Sequence, residues 1–415
     1  MNSEVPKIEG HATFYTHLRS GRIDQARIIG LDGDRFVEKI LFGRKYWEAP
    51  IITSRMCGIC PVIHNITSAK GVEAALGIKV SGQTETLRKL MLCGQMIQSH
   101  ALHLYLLVLP DFVGMSSSFE LQKNHPDLFA DAVALKKYAD SIIEKIGGRA
   151  VHPVSNVVGG FKKYPSKNTL KELLEEVKNV KEIANKSLAL FNTFDYPEIS
   201  RDHIYSALSH ENEYAFYQGE ARTTSGSVFE PRNYTKYIYE ELVPYNRAKF
   251  GTLRGKEMMV GAIARMNINR NYLPKEIKNI LKELNIADKF KNPFDNIISQ
   301  AIELCYFIIL SEKIITQLIK DKITEENIIE PKKYSDGATA CEAPRGTLFH
   351  YYKIDKDGTI LKCDIVTPTV QNLPSLEKDM KLLTPLIKDK KPAERNHLIE
   401  MLIRAYDPCI TCATH

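Results

Sequence analysis

The most regular pattern along the chain is a helical repeat of apolar positions around residue 100. From Leu87 to Val108, apolar or small residues return every three or four positions for about seven turns, which predicts a long helix. Its second half, Ala101–Pro110, is apolar on nearly every side. A second long segment, 294–322, is apolar on more than one face. Both patterns predict helices that are buried on several sides.

Strand-like patterns mark the two ends of the chain. Residues 11–42 are predicted to be β-rich, with a hairpin that turns at Ser20-Gly21. A second hairpin, within 346–369, is predicted to turn at Asp357-Gly358. Between them, 213–256 is rich in Tyr, Gly, Arg and Thr, which predicts loops and short strands. Further helices are predicted at 126–146, 168–192, 274–284 and 394–406.

These elements together predict the α+β class. We expect a mainly helical protein with a central bundle of long buried helices and small β elements from the N- and C-terminal regions. The 415 residues are enough for one large domain or two to three modest ones. Because no internal repeat or low-complexity linker divides the chain, we predict one domain over 1–415. Its parts are a β-rich segment at 1–60, a helical core at 61–330 and a C-terminal segment at 331–415.

Composition and charge argue against nucleic-acid-binding, secreted and membrane-spanning proteins. The net charge of +6 is spread along the chain and not concentrated in one basic motif, which argues against nucleic-acid binding. The N-terminus lacks a basic region followed by an apolar region, so no signal peptide is indicated. The apolar stretch Ala101–Pro110 is shorter than the ~20 residues of a membrane-spanning helix. We therefore expect a cytoplasmic protein without a transmembrane segment.

Eight cysteines carry the most informative chemistry in the sequence. Four of them form two Cys-x-x-Cys pairs, Cys57/Cys60 near the start and Cys409/Cys412 near the end. In a reducing compartment, such cysteines are more often free thiols or metal ligands than disulfides. The other four are predicted to be buried, small apolar side chains: Cys93, Cys305, Cys341 and Cys363.

The separation of the two pairs limits what they can bind. A structural zinc site usually joins pairs about 15–20 residues apart, whereas nearly the whole chain separates Cys60 from Cys409. Neither pair has the strand–helix context of a thioredoxin-like site, and the CxxCH motif of c-type haem is absent. The spacing favours a redox-active or catalytic four-thiolate site for a soft or borderline metal, and it leaves a structural zinc site open.

Six segments resemble the large, catalytic subunit of nickel–iron hydrogenases. They occur in the family's order and span the chain: KIEGHATF (7–14), RFVEKILFGR (35–44), RMCGICPVIH (55–64), GGRAVHP (147–153), EAPRGTLFHYY (342–352) and DPCITCATH (407–415). Among subfamilies, the segment SHALHLYLLVLPD (99–111) and the short length are most similar to the cytosolic bidirectional type. Members of that type couple hydrogen to NAD(P) or a similar carrier, often in complexes with diaphorase subunits.

The resemblance implies a nickel–iron centre held by the two cysteine pairs. Cys57 and Cys409 correspond to terminal thiolates on nickel, and Cys60 and Cys412 correspond to thiolates that bridge nickel and iron. The iron in the family also carries carbon monoxide and cyanide, which no amino acid supplies, so dedicated maturation proteins are implied. Family members are trimmed by a C-terminal endopeptidase after the last histidine, and a chain that ends at His415 corresponds to that mature form.

Heterolytic cleavage of dihydrogen needs a base close to the metal. The candidate proton acceptors are Cys409 and Arg345. Arginine is almost always protonated, so Arg345 has an alternative role through its charge and hydrogen bonds over the metal face. Glu9 corresponds to the family's glutamate that relays the proton from Cys409. One departure is Ser99, where many membrane-linked or periplasmic members carry an aspartate; it removes one acid from the surroundings of the centre.

Four more residues match positions that surround the centre in the family. His64 corresponds to a histidine that hydrogen-bonds near a bridging sulfur, and such outer partners tune a metal. Asp407 corresponds to an acid that pairs with the active-site arginine. Pro368 and Thr369 match positions that line the diatomic ligands of the iron. The resemblance thus implies a ring of residues that shape the centre without binding the metals.

The resemblance also implies a second metal site near the C-terminus. Glu38 and His415 match ligands of a magnesium or iron ion, and we place the third protein ligand, a backbone carbonyl, at Ile365. A carboxylate, a carbonyl and several waters suit a hard octahedral ion, and histidine is the less usual component. Such an ion would tie the end of the chain to the rest of the protein.

The function implied is the reversible cleavage of dihydrogen, with electrons passed to an iron–sulfur small subunit and on to NAD(P) or another soluble carrier. The chain has no GxGxxG or P-loop motif and no ferredoxin-type cysteine run, so we expect no flavin, nicotinamide or iron–sulfur cluster in it. The main alternative is a hydrogen-sensing regulatory homologue with the same metal centre. A third reading is a structural zinc protein or the hydrogenase-like subunit of respiratory complex I, which lacks the cysteine pairs.

Overall fold

The structure, a computed structural model, describes residues 2–34 and 36–415. Arg35, which opens the matched segment 35–44, lies outside the described residues, as does Met1. The described chain forms helices of very different lengths and several small antiparallel sheets. This arrangement confirms the predicted α+β class.

The helices of the described residues range from single turns to long rods. They are α1 (Val37–Leu41), α2 (Ala49–Thr53), α3 (Pro61–Leu76), α4 (Gly82–Leu102), α5 (Leu109–Phe112), α6 (Ser118–Asn124), α7 (Pro126–Gly147), α8 (Lys167–Phe191), α9 (Ala262–Asn269), α10 (Lys275–Glu283), α11 (Asp295–Asp321), α12 (Pro368–Leu382), α13 (Thr384–Ile387), α14 (Pro392–Ala405) and α15 (Ile410–Ala413). Short 3₁₀ turns lie at Tyr46–Glu48, Ser54–Met56, Pro231–Lys236 and Arg270–Tyr272.

The strands form small sheets in which neighbours are antiparallel. They are β1 (Asn2–Glu4), β2 (Ala12–Arg19), β3 (Arg22–Gly30), β4 (Asn156–Val157), β5 (Gly160–Phe161), β6 (Ser206–Ser209), β7 (Glu220–Thr223), β8 (Val228–Phe229), β9 (Ile238–Leu242), β10 (Lys249–Leu253), β11 (Asp336–Ala343), β12 (Gly346–Ile354) and β13 (Ile360–Val366). The sheet orders are β1-β2-β3, β4-β5, β6-β7-β8, β9-β10 and β11-β12-β13.

The centre of the molecule is a bundle of long helices. Helix α4 packs against α7 and α11, and α11 also packs along α8. Glycine permits the close approach of α4 to α7, since a Cβ on Gly94 would lie 2.9 Å from Cγ1 of Ile143 and 3.1 Å from the carbonyl oxygen of Ala139. A large apolar core extends from Val5 to Ala413, and a second, smaller cluster includes Phe229, Tyr234 and Phe349. The predicted buried helices are confirmed, and the division of the chain into domains stays a prediction.

Helix α4 continues through a π-helical segment, His103–Val108, into α5. Pro110 accounts for this change, because proline lacks an N–H group and its ring clashes with the carbonyl four residues earlier. The continuous helix Gly82–Phe112 is long and apolar enough to cross a membrane by length and composition. However, 83% of its most apolar window is buried inside the protein, as in a core helix.

The sequence patterns do not predict several elements next to the cysteine pairs. Helix α3 is buried on almost every side, so its sequence shows no apolar stripe. Helix α12 contains Pro374, a residue that usually ends a helix. Strand β11 joins the predicted C-terminal hairpin and makes it three-stranded. The prediction of β structure up to residue 42 is wrong over α1, which is helical.

Both ends of the chain meet beside the bundle. The predicted N-terminal hairpin is confirmed, with Ser20 and Gly21 in the left-handed region at φ 51° and 76°. Strand β3 of this hairpin packs on α12. A parallel bridge pairs Glu9 with Cys409. Residues from the two ends of the sequence therefore form neighbouring walls of one site.

Candidate metal centre

The first cysteine pair lies in a short loop between a 3₁₀ turn and α3. Cys60 is the residue before the helix, and Pro61 takes the first helical position, where its missing N–H costs nothing. The loop is fixed by the buried Gln95 of α4. The side-chain amide of Gln95 donates to the carbonyl of Ile59 at 2.6 Å, and its oxygen accepts from Val62 N–H at 3.0 Å. Gln95 therefore holds the backbone on both sides of the Cys60–Pro61 step.

The two pairs form a compact cluster of four sulfur atoms, all within 4.8 Å of one another. The Sγ atoms of Cys57 and Cys409 are 3.5 Å apart, and those of Cys60 and Cys412 are 3.2 Å apart. All four residues are buried and none is in a disulfide. Metal–thiolate bonds are about 2.3 Å long, so sulfurs that share an ion lie about 3 to 4 Å apart. The donor set therefore fits soft or borderline metal ions.

Glu9 lies against this cluster on the N-terminal side. The Cys409 thiol donates to Oε2 of Glu9 at 2.9 Å, while the Thr411 hydroxyl donates to Oε1 at 2.5 Å. Burial raises the pKa of Glu9, and the neighbouring Cys57 charge adds to this effect. Gly10 is needed beside it, because a Cβ there would lie 3.1 Å from the backbone nitrogen of Thr411 and the residue has φ +77°. A carboxyl group with a raised pKa thus contacts one of the sulfurs.

Arg345 and Asp407 form a buried ion pair next to the cysteines. Nη2 of Arg345 donates to Oδ1 of Asp407 at 2.8 Å, and its Nε donates to the Asp407 carbonyl at 2.8 Å. Burial alone would lower the pKa of Arg345, but Asp407 and the nearby sulfurs raise it well above its usual value. Asp407 has φ +49° and precedes Pro408. The hydroxyl oxygen of Ser99 lies 3.5 Å from Nη1 of Arg345. Ser99 is the residue that stands where the resemblance implies an aspartate in many family members.

A small cavity opens between the arginine and the cysteines. Its walls include Cys60, Cys412, Arg345 and the first two residues of α12, Pro368 and Thr369. Its volume is about 10 Å³, which is room for about one water-sized molecule. The structure therefore brings the predicted lining residues to the same face of the cluster as Arg345.

Side chains from several elements hold the sulfurs in place. Nε2 of His64, one turn into α3, lies 3.4 Å from Sγ of Cys412. The hydroxyl of Thr369 accepts from the backbone N–H of Cys409 at 3.0 Å. In this way, α3 and α12, two helices that the sequence patterns do not predict, fix the second cysteine pair.

A second group of polar residues surrounds the last residue of the sequence. Nε2 of His415 lies 2.9 Å from the carbonyl oxygen of Ile365 and 3.8 Å from Oε1 of Glu38. Glu38 Oε1 also accepts from Ile365 N–H at 2.8 Å. Burial would raise the pKa of Glu38, but His415 and Lys249 outweigh it and lower the pKa. The three predicted ligands thus lie within reach of one ion, and the lowered pKa of Glu38 favours the ionised carboxylate that a metal ion binds.

Sequence reasoning misses the buried polar residues of α4 and α11 that support the site. Gln300 donates to Oδ2 of Asp407 at 3.0 Å and contacts Nδ1 of His103 at 2.5 Å through its own oxygen. Gln95 fixes the first cysteine loop, as described above. Both glutamines interrupt the apolar faces of helices that are otherwise predicted to be buried, and that interruption is the available signal in the sequence.

Comparison with known proteins agrees with the geometry of the site. The model of the nickel-dependent hydrogenase family matches residues 35–130 and 183–415. The α subunit of sulfhydrogenase 1 from Pyrococcus furiosus is 31% identical and aligns over 99% of this chain and 96% of its own. The β subunit of the NAD-reducing hydrogenase HoxS from Cupriavidus necator is 27% identical and aligns over 99% of this chain and 93% of its own. A crystal structure of an NAD+-reducing NiFe hydrogenase in the H2-reduced state matches with a TM-score of 0.90 and 25% identity over 100% of this chain and 99% of that one.

Proposed function

The chain belongs to the nickel-dependent hydrogenase family and is the catalytic large subunit of a nickel–iron hydrogenase, and we propose how its residues serve that activity. The observation that carries the proposal is the cluster of four buried thiols within 4.8 Å, drawn from opposite ends of the sequence. A nickel–iron centre in this position supplies the heterolytic cleavage of dihydrogen. The residues around it bind the metals, accept the proton and exclude water.

We assign the four cysteines as the metal ligands, with Cys57 and Cys409 on nickel alone and Cys60 and Cys412 bridging nickel and iron. The residues between Arg345 and the cysteines, which include Cys60, Cys412, Pro368 and Thr369, support the placement of iron on this side of the cluster, where its carbon monoxide and cyanide ligands would face Pro368 and Thr369. Maturation proteins and a C-terminal endopeptidase belong to the same proposal.

The proton released in the reaction leaves through Cys409 and Glu9. The Cys409 sulfur is 2.9 Å from Oε2 of Glu9, a distance at which a proton passes directly between the two groups. Burial raises the pKa of Glu9, which makes the carboxylate a better proton acceptor. Thr411 orients this carboxyl group through its hydroxyl and its backbone N–H.

We assign Arg345 to electrostatic stabilisation and not to proton acceptance. Its pKa is raised well above the usual value by Asp407 and the sulfurs, so it keeps its proton throughout. The ion pair with Asp407 fixes the guanidinium over the cavity. A fixed positive charge at this position favours the binding of negatively charged groups next to the cysteines.

The second metal site serves to anchor the end of the chain. Glu38, the Ile365 carbonyl and His415 supply one carboxylate oxygen, one carbonyl oxygen and one ring nitrogen for a magnesium or iron ion. The separations of 2.9 and 3.8 Å between these atoms support a shared ion. Since Cys412 lies only three residues before His415, this ion also steadies the second cysteine pair.

Electrons leave this chain through a partner, which we propose is an iron–sulfur small subunit. A short segment between β3 and the first cysteine pair exposes large apolar side chains: Phe36 (64%), Phe42 (55%) and Trp47 (54%). Its backbone is fixed to β13, since Gly43 N–H donates to Ile360 O at 2.9 Å. Large apolar side chains that are exposed together on one short segment suit an obligate interface. By similarity to the NAD-reducing relatives, we further propose diaphorase-type subunits, NAD(P) or a similar carrier, and a cytoplasmic location.

Dye-coupled turnover of the purified complex tests this function. The expected result is sustained, hydrogen-dependent reduction of a viologen dye by the complex, and reduction of NAD(P) when the diaphorase-type subunits are present. A complex that contains nickel and iron but turns over only in traces would instead indicate the hydrogen-sensing homologue. A complex with no hydrogen-dependent reaction and no nickel would contradict both functions.

A further inference from the structure

A buried arginine of α9, Arg265, uses every one of its N–H groups. Nε and Nη2 donate to the two carboxylate oxygens of Glu303, each at 2.6 Å. Nη1 donates to Oε2 of Glu342 at 2.9 Å and to the carbonyl of Ala343 at 2.8 Å. Nη2 also donates to the carbonyl of Pro344 at 2.9 Å. With five donors satisfied, the guanidinium and its two carboxylates form a rigid unit, which we call the Arg265 clamp.

The clamp holds the backbone that leads directly into Arg345. Ala343 ends β11, and Ala343 and Pro344 line the same cavity as Arg345. The turn that follows has little freedom, because a Cβ on Gly346 would lie 2.4 Å from the side chain of Val260, next to α9. The position of the Arg345 side chain therefore depends on two successive carbonyl groups that Arg265 fixes.

Helix α11 connects the Arg265 clamp to Asp407, the residue that forms the ion pair with Arg345. Glu303 accepts from Arg265, and Gln300, one turn earlier on α11, donates to Oδ2 of Asp407. Glu303 is itself fixed by the Tyr214 hydroxyl, which donates to its Oε1 at 2.6 Å. One turn of a single helix thus sets the positions of both Arg345 and Asp407.

We propose that Arg265 is a positioning residue of the metal centre, which sets the position of Arg345 above the cysteine cluster through the Ala343 and Pro344 carbonyls. The inference rests on the proposed function, because it takes the cysteine cluster to be the catalytic metal centre beside which Arg345 acts. Displacement of a reacting group by about 1 Å costs on the order of a hundredfold in rate, so a distant clamp has a measurable effect. Arg265 itself lies outside the cavity walls.

The alternative explanation is that the Arg265 clamp only stabilises the fold. Another buried arginine, Arg88, provides a matched control for this alternative. Arg88 of α4 is as deeply buried and donates to both carboxylate oxygens of Glu73 at 2.8 and 2.6 Å, and to Asn156 and the Val157 carbonyl. None of these partners lines the cavity or contacts the cysteines. A change at Arg88 therefore reports the cost of disturbing a buried arginine pair without touching the centre.

The test compares Arg265→Lys with Arg88→Lys in the complete purified complex. Lysine keeps the charge but has three donors on one nitrogen, so it cannot hold two carboxylates and two carbonyls together. Both variants are expected to lower the unfolding temperature. Only Arg265→Lys is expected to shift the electron paramagnetic resonance signal of nickel and to lower turnover by about tenfold or more at unchanged nickel content. Arg88→Lys should keep the wild-type signal and turnover within about twofold.

The proposal is overturned if Arg265→Lys retains the wild-type nickel signal and turnover. If Arg265→Lys does not accumulate with nickel, Glu342→Gln decides, since it preserves volume while its amide group opposes either the Arg265 donor at Oε2 or the Leu208 and Thr347 donors at Oε1, and so disturbs the clamp in both orientations. A wild-type signal and turnover in Glu342→Gln would then overturn the proposal, and a shifted signal with reduced turnover would support it. Failure of the proposed function itself is distinguishable, because the wild-type complex would then lack nickel or turnover.

Discussion

At the scale of single residues, burial and neighbouring charges set the proton affinities of the groups around the centre. The carboxyl group of Glu9 is pushed toward its protonated form by burial, and the Arg345 guanidinium is kept charged by Asp407. One group therefore exchanges a proton and the other holds its charge constant. A glutamate free in water has a lower pKa and is therefore a weaker proton acceptor than the buried Glu9.

Replacement of Glu9 by glutamine tests the proton route. Glutamine keeps the size and the contacts with Thr411 but cannot carry the proton, so hydrogen oxidation should fall by about 10²–10⁴-fold. Nickel and iron contents should stay unchanged, because Glu9 is not assigned as a ligand. Glu4→Gln on β1, an exposed glutamate nearby in sequence, is the control and should match wild type. Turnover of Glu9→Gln above half the wild-type value would contradict the route.

Replacement of His415 by alanine tests the second metal site. The variant loses the contacts with Ile365 and Cys412 as well as a metal ligand, which is expected to cost about 1–3 kcal/mol of stability. A chelator should lower the unfolding temperature of wild type and have little further effect on His415→Ala. His397→Ala, an exposed histidine of α14, should behave like wild type. An equal response of His415→Ala and wild type to the chelator would count against the site.

At the scale of elements, the sequence predicts the helices that have a visible apolar repeat and misses those that touch the centre. Helices α4, α7, α8 and α11 are found where their periodicity indicates. Helix α3 is buried all round and α12 carries an internal proline, so neither shows a usable pattern. The cysteine pairs could be grouped from their motifs, but the roles of Gln95 and Arg265 depend on packing between distant helices, which no local pattern contains.

Helix α11 contributes a pH-dependent part of the stability through Glu303. Burial would raise its pKa, but Arg265 and His100 outweigh this and lower it from 4.5 to about 2. The stabilisation, on the order of 3 kcal/mol, is present above the unfolded pKa and is lost as pH falls from about 4.5 toward 2. The unfolding temperature of Glu303→Gln should thus lie below wild type at pH 6 and approach it at pH 3. Glu172→Gln, at an exposed position of α8, should show no such convergence, and a constant difference for Glu303→Gln would contradict the assignment.

At the scale of the whole molecule, the fold makes one site from the two ends of the chain. A hairpin from the N-terminus and the last residues of the sequence close over α3 and α12, so the cysteine cluster exists only when the entire chain is folded. The exposed apolar segment around Phe42, which we assign to the partner, lies between β3 and the first cysteine pair along the chain, and its backbone is fixed to β13.

An aspartate in place of Phe42 tests the partner surface. A charge at the centre of an apolar interface should weaken binding of the iron–sulfur subunit at least about tenfold, as measured by co-purification and by titration of the separated subunits. Phe119→Asp, which alters another exposed phenylalanine on α6 (85% exposed), should leave binding unchanged. Equal binding of both variants would place the partner elsewhere.

The central claim is that the four cysteines hold nickel and iron together, and elemental analysis of the purified complex tests it most directly. The account predicts about one nickel per chain in wild type, and loss of that nickel in Cys412→Ser while the iron of the partner subunit stays bound. A wild-type complex that contains zinc at the cysteines, with no nickel, would contradict it.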